Sequence, residues 1–335
     1  MKTVRWVAVG ALAATLVACS GSQDTSGSSP PAKVDPPVLR DLPAPISLKK
    51  VDAQRITVTG NVDWVVMAGG DAWASTGTPA VRRFDGKTGD PSGDTALPDD
   101  SCSAMDAGFR SVWVGACSSA KLVRIDARDG SVQARITVGK RVLQEEGSVG
   151  AGEGAVWVLS VSPKPTLFKV DPGKDKVVER FRAPEESAAV RAGLGHVWIT
   201  DTVNDQLVAV DPKSGDVDKR VKVGPGARFI AVGEGAVWVL NQSDGSVTQV
   251  DPDSLKVVRK TIVGEEQVEG GDIAVGGGFV WARVSDSLVA QINPQTGKVV
   301  ARYGTPQGSG SVAADKRAVW ITAHDVDAVW RIPLH

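Results

Sequence analysis

Apolar residues in this chain come in short bursts rich in Val, Ile and Leu, and Gly, Asp, Asn or Pro interrupts them every ten residues or so. Bursts that short, broken that often, build strands and leave no room for long helices. One stretch serves as a template: Arg228 to Val232, Ala236 to Leu240, Ser246 to Val250 and Lys256 to Val263 read as four strands, A to D. Gly233-Glu234-Gly235 supplies the permissive backbone of a tight A–B hairpin, and Asp251-Pro252 opens the C–D turn with φ preset by the proline ring. Asp171-Pro172, Asp211-Pro212 and Asn293-Pro294 repeat the second device, and Asp126-Ala127-Arg128-Asp129-Gly130 keeps its Asp and Gly without the proline.

The template recurs. Each copy of strand B carries a tryptophan between apolar neighbours, at Trp73, Trp113, Trp157, Trp198, Trp238, Trp281 and Trp320, with spacings of 40, 44, 41, 40, 43 and 39 residues. Repeats of about 40 residues made of short strands predict the four-stranded blades of a β-propeller. Apolar residues on both sides of the tryptophan predict a strand covered on both faces, with the indole packed between blades. Truncating such a side chain to Ala is expected to cost about 3 to 5 kcal/mol.

The last repeat offers strands over Gly310 to Ala314, Ala318 to Thr322 and Asp327 to Ile332, and lacks a fourth. Gln54-Arg55-Ile56-Thr57-Val58-Thr59-Gly60 matches the D-strand sequences Ala134 to Gly139 and Lys260 to Gly264 and precedes any A strand of its own. It is therefore expected to complete the seventh blade, hiding edges that would otherwise invite association. Deleting residues 54–59 should weaken the whole ring, whereas deleting residues 20–45 should change little. The fold class expected is all-β, a seven-bladed propeller of four-stranded antiparallel blades.

Residues 54–335, with their GEGAVWV core followed by V-x-x-V-D-P-x-x-G-x-V, resemble the virginiamycin B lyase-like and YVTN-repeat propellers. That resemblance identifies a fold better than a chemistry. It implies a lyase site near the axis built from histidines, a glutamate and magnesium. The chain has three histidines. His196 begins a B strand, His335 ends the chain, and His324, in the B–C loop Ala323-His324-Asp325, is the weak catalytic candidate.

Composition adds a location. Lys2 and Arg5 precede an apolar run from Trp6 to Ala18 that is too short to span a bilayer. Leu16-Val17-Ala18-Cys19 resembles the lipobox of bacterial lipoproteins, which implies lipidation at Cys19. The expected organisation is a signal peptide over 1–18, a disordered Ser/Gly/Pro-rich tether over 19–50, and the propeller over 51–335. The protein is thus expected in the cell envelope, lipid-anchored to a bacterial membrane, facing the extracytoplasmic side, and monomeric. A formal charge of −1, with both signs mixed throughout, argues against nucleic acid as a partner.

If residues 108–111 form an A–B turn, Ala107 opposes Val112 and Cys102 opposes Cys117, which suits a disulfide in an oxidising compartment. In the template, D–A and B–C connections share one face, here the upper one. They carry Glu146, Glu186, Glu269 and Asp272 with Arg228 and His324, an acidic rim proposed for binding. Such a rim favours cations, and Mg or Ca is the ion to consider, although no metal ligand set or cofactor is expected. Gly276-Gly277-Gly278 is a hairpin turn, and Gly308-Ser309-Gly310-Ser311 lacks the strand-to-helix elbow of a nucleophile. The leading functional expectation is a binding or scaffold module for a protein, peptide or small ligand; the alternative is a metal-dependent lyase or lactone-acting enzyme.

Overall fold

The computed structural model describes residues 35–101, 103, 105–139, 146–160, 164–264 and 267–334. Pro36–His335 form one compact unit. The leader over residues 1–18, Cys19 and Cys102 lie outside the described residues.

The unit is a seven-bladed β-propeller of four-stranded antiparallel sheets. The template blade is observed as Ala227–Gly233, Ala236–Asn241, Ser246–Asp251 and Lys256–Ile262. Numbering blades from Trp73, the inner strands are Val65–Ala68, Met105–Gly108, Val149–Gly152, Ser187–Gly193, Ala227–Gly233, Asp272–Gly276 and Val312–Ala314. Each packs beside the next, and the seventh packs beside the first. The ring closes as expected: Gln54–Thr57 pairs antiparallel with Ala328–Pro333, placing Arg55 opposite Trp330 and Thr57 opposite Ala328.

The turns follow their local chemistry. Asp211 Oδ1 accepts the N–H groups of Lys213 (2.8 Å) and Ser214 (2.6 Å), and these bonds hold its carboxyl below the usual carboxylate range. Inner strands approach so closely that Gly150 has no room for a side chain, since a Cβ would lie 2.9 Å from the Val190 carbonyl oxygen. All seven repeat tryptophans are buried. Six of them also donate the indole N–H to the carbonyl five residues earlier at the A–B turn, as Trp238 does to Gly233 at 3.1 Å.

The tether expected through Lys50 is not structureless over its last part. Val38–Leu39 adds a fifth, parallel strand to blade 5, opposite Lys260 and Thr261. Ile46 then bridges to Tyr303 on the outer edge of blade 6, donating to the Arg302 carbonyl (2.7 Å) and accepting from the Gly304 N–H (2.9 Å). A 3-10 turn at Leu48–Val51 leads into the closing strand. The reason is tertiary: outer strands present unpaired backbone groups, and a Pro-rich segment with scattered Val, Leu and Ile suffices to cover them. Residues 36–45 therefore belong to the folded unit, so the disordered tether expected over 19–50 does not extend across them.

Candidate functional site

The upper face gathers an acidic cluster of side chains. Its centre is Asp63, just ahead of the first inner strand. Ser103 Oγ–H donates to Asp63 Oδ2, and Thr322 Oγ1–H donates to the Asp63 carbonyl. Burial raises the Asp63 carboxyl above its ordinary range; the Ser103 bond opposes this, the charges of Glu146 and Asp325 raise it further, and His324 lowers it. Three segments, those leading into blades 2 and 3 and the B–C loop of blade 7, thus converge on one carboxylate.

Glu146 Oε2 meets Arg228 Nη2 at 3.0 Å, so this pair leaves one half-buried carboxylate neutralised at the rim. His324 opens a 3-10 turn, His324–Val326, and its Nδ1 lies 2.8 Å from Asp325 Oδ1. Asp325 Oδ2 in turn accepts the Ser309 N–H at 2.9 Å, which ties the B–C loop of blade 7 to its own D–A connection. Nearby, the buried Arg283 guanidinium donates to the carbonyls of Val284 and Gly308, and burial lowers its pKa to about 10. It acts as a fixed positive charge beneath the rim.

Under Asp63 the axis is shut. Trp64 in blade 1 and Phe229 in blade 5 belong to non-adjacent blades, yet their rings lie 5.6 Å apart. Inner-strand residues of such blades meet only across the axis, so these two rings form a floor. Each is 2 % exposed. Arg228 lies over the Phe229 ring at 5.5 Å and Arg191 over the Trp64 ring at 5.9 Å, adding cation–π contacts that hold the floor in place.

Of the expected rim residues, the structure brings Glu146, Arg228 and His324 together around Asp63. Glu186 and Glu269 are exposed and, among the described residues, form no side-chain ion pair. Asp272 is not on the rim: it is 3 % exposed and lies at the start of an inner strand, where its Oδ2 accepts from Ser311 Oγ at 2.7 Å. It pairs with Arg283 as the first residue of that strand, so a residue read as loop belongs to the inner strand. Among the described residues no group of three or more His, Cys, Asp or Glu is arranged to hold a metal ion. Ala107 does oppose Val112, the register from which the Cys102–Cys117 pairing was expected, but Cys102 lies outside the described residues.

Asp63, Trp64 and Phe229 were missed from sequence, as were Asp106 and Arg191 deeper on the axis. A signal existed. Seven residues before each repeat tryptophan the chain has Val66, Gly150, Ala231, Ala274 or Ala313 in five blades, and Asp106 and Arg191 in the other two. Nine residues before it stand Trp64, Phe229 and Asp272 among Ala and Ser. Departures from a repeat consensus mark where the ring loses its symmetry, and they fall on the axis.

No family model matches the chain and no curated protein matches it. Solved structures do. A streptogramin B lyase superposes with a TM-score of 0.68 at 10 % identity, over 84 % of this chain and 97 % of that one. The WD40 repeats of RRP9 give 0.69 at 10 % identity, over 84 % and 97 %. BamB from Moraxella catarrhalis gives 0.54 at 13 % identity, over 82 % and 83 %. At such identities the likeness establishes the propeller alone.

Proposed function

We propose that this protein is an exported, lipid-anchored propeller that acts as a binding module, its upper face receiving a positively charged segment of a partner protein. The observation that carries this reading is Asp63, a carboxylate set among Glu146 and Asp325 above a closed aromatic floor. A Lys or Arg side chain brought to Asp63 offsets the burial, and the smaller like-charge repulsion, that raise its pKa, and the Trp64–Phe229 floor stops it at a defined depth. The lipobox-like Leu16 to Cys19 supports anchoring through Cys19, and export suits a Cys102–Cys117 disulfide.

The test is binding of a fluorescent Lys-rich peptide to the purified protein by anisotropy. Asp63→Asn combined with Glu146→Gln is expected to weaken it at least about tenfold, and affinity should fall between about 50 and 200 mM salt. Equal binding by the double variant would reject the assignment of the cluster. Anchoring is checked in cells, where Cys19→Ser should move the protein from the membrane to the soluble fraction.

A second reading, a metal-dependent lyase or lactone-acting enzyme, draws on His324 standing among carboxylates. It requires that Mg or Ca raise the melting temperature and that His324→Ala abolish turnover. Melting unchanged by either ion and by EDTA would count against it.

A further inference from the structure

From the level of Trp64 downward the axis holds a site of different construction. A cavity of about 300 Å³ runs down the axis and reaches Met67, Val232, Val275 and Ala314 at its lower end. From the level of Asp272 to that of Val275 is three strand residues, a depth of about 10 Å. Its lining side chains are apolar except for three charged ones, Asp106, Arg191 and Asp272, and backbone polar atoms of the inner strands share the wall with them. They come from blades 2, 4 and 6.

Arg191 is held by its own scaffold. Its Nη1 donates to the carbonyls of Val149 (2.9 Å), Val190 (2.8 Å) and Gly147 (3.3 Å), and among the described residues it forms no ion pair with either carboxylate. Asp106 accepts the N–H groups of Ala107 and Ala151, each at 2.8 Å. Asp272 Oδ2 accepts from Ser311 Oγ and, at 3.3 Å, from the Val312 N–H, while Oδ1 is buried with no hydrogen-bond partner. An orphaned carboxylate oxygen in the wall of a cavity is costly, and a donor from a ligand removes that cost. Burial pushes the Asp272 carboxyl up to about 6, and the Arg191 charge pulls it back down.

We propose that this axial tube binds a primary alkylammonium ion, its head group donating to Asp272 and Asp106 and its alkyl chain lying along Val66, Val232 and Val275. Burial raises the Asp106 carboxyl as well, against the Arg191 charge and the Ala151 and Ala107 N–H bonds. With both carboxylates ionised, one guanidinium leaves the cluster one positive charge short, which an ammonium ion supplies. A divalent metal is a poor occupant, because such ions take about six or more oxygen ligands and the walls offer apolar side chains and a fixed guanidinium instead. An anion would meet the net negative charge. The apolar length below the charged level matches a hydrocarbon tail, which neither an inorganic ion nor water uses. This site shares no charged residue with the Asp63 cluster and does not depend on what the upper face binds.

Hexylammonium chloride is the probe, titrated into the full-length protein by calorimetry and by thermal shift. Saturable binding with a dissociation constant below about 1 mM is expected, together with a rise in melting temperature. Asp272→Asn and Asp106→Asn should each weaken it at least about tenfold. Ala274→Leu, which fills the tube with an apolar side chain, should abolish it, and this variant decides the matter if either Asn variant fails to fold. Asp63→Asn with Glu146→Gln should leave it unchanged, which separates this site from the upper cluster. The proposal is overturned if 1-hexanol binds as well, if potassium chloride gives the same stabilisation, if the Ala274→Leu variant still binds, or if the wild-type protein shows no saturable binding.

Discussion

Six of the seven repeat tryptophans fill the space between blades and also donate a buried indole N–H to an A–B turn carbonyl, whereas Trp320 Nε1 is buried without a partner. Phenylalanine keeps most of the apolar area and removes the donor. Trp238→Phe should therefore strand the Gly233 carbonyl and cost about 1 kcal/mol or more beyond Trp320→Phe, which loses no hydrogen bond. Urea unfolding of the two variants measures the difference; equal losses would mean that packing alone explains the residue. The sequence showed that the indoles would be inter-blade packing, because apolar flanks on strand B report burial. It could not show the hydrogen bond, because the acceptor is a backbone carbonyl carrying no residue signature. Asp63 escaped for a related reason: Asn61-Val62-Asp63 looks like ordinary loop chemistry until the ring places Ser103, Glu146 and His324 beside it.

Strands, turns and register were legible at the scale of the element, since each depends on residues close in the chain. Asp211-Pro212 carries its own turn, and the Ala107–Val112 pairing follows from one hairpin. The strap over Val38–Leu39 and Ile46 was not legible. Its partners are the outer edges of blades 5 and 6, more than two hundred residues away, and its Pro and Ser content reads as disorder when those edges are out of view. Deleting residues 38–46 should thus expose the edge strand Lys256–Ile262 and the contact with Tyr303, and remove the burial of Leu42. The expected loss is about 2 kcal/mol, seen as a lower melting temperature. The bared edge should also promote self-association, visible by light scattering. A deletion variant that melts like the full chain and stays monomeric would show that the strap merely lies on the surface.

Closure governs the molecule as a whole. Each blade buries its faces against two neighbours, so blades 1 and 7 lose one face together if the ring opens between them. The chain prevents this with the clasp Gln54–Thr57 against Ala328–Pro333, whose two halves are separated by nearly the whole propeller sequence. Unfolding that begins with release of this short strand would open the ring and expose the Ile56, Phe84 and Trp320 cluster to water. A covalent lock tests whether clasp release precedes the rest. Thr57 and Ala328 are directly opposed, so Thr57→Cys with Ala328→Cys places two thiols at a spacing suited to a disulfide. Closing so long a loop should stabilise the oxidised form by up to about 5 kcal/mol relative to its reduced form. If the clasp is the first element to detach, the gain should appear largely as slower unfolding, because the bond blocks the opening step itself. Stopped-flow unfolding in denaturant, with and without reductant and with the wild-type protein as the redox control, reads both quantities. An oxidised variant that unfolds as fast as its reduced form would place the first break elsewhere in the ring.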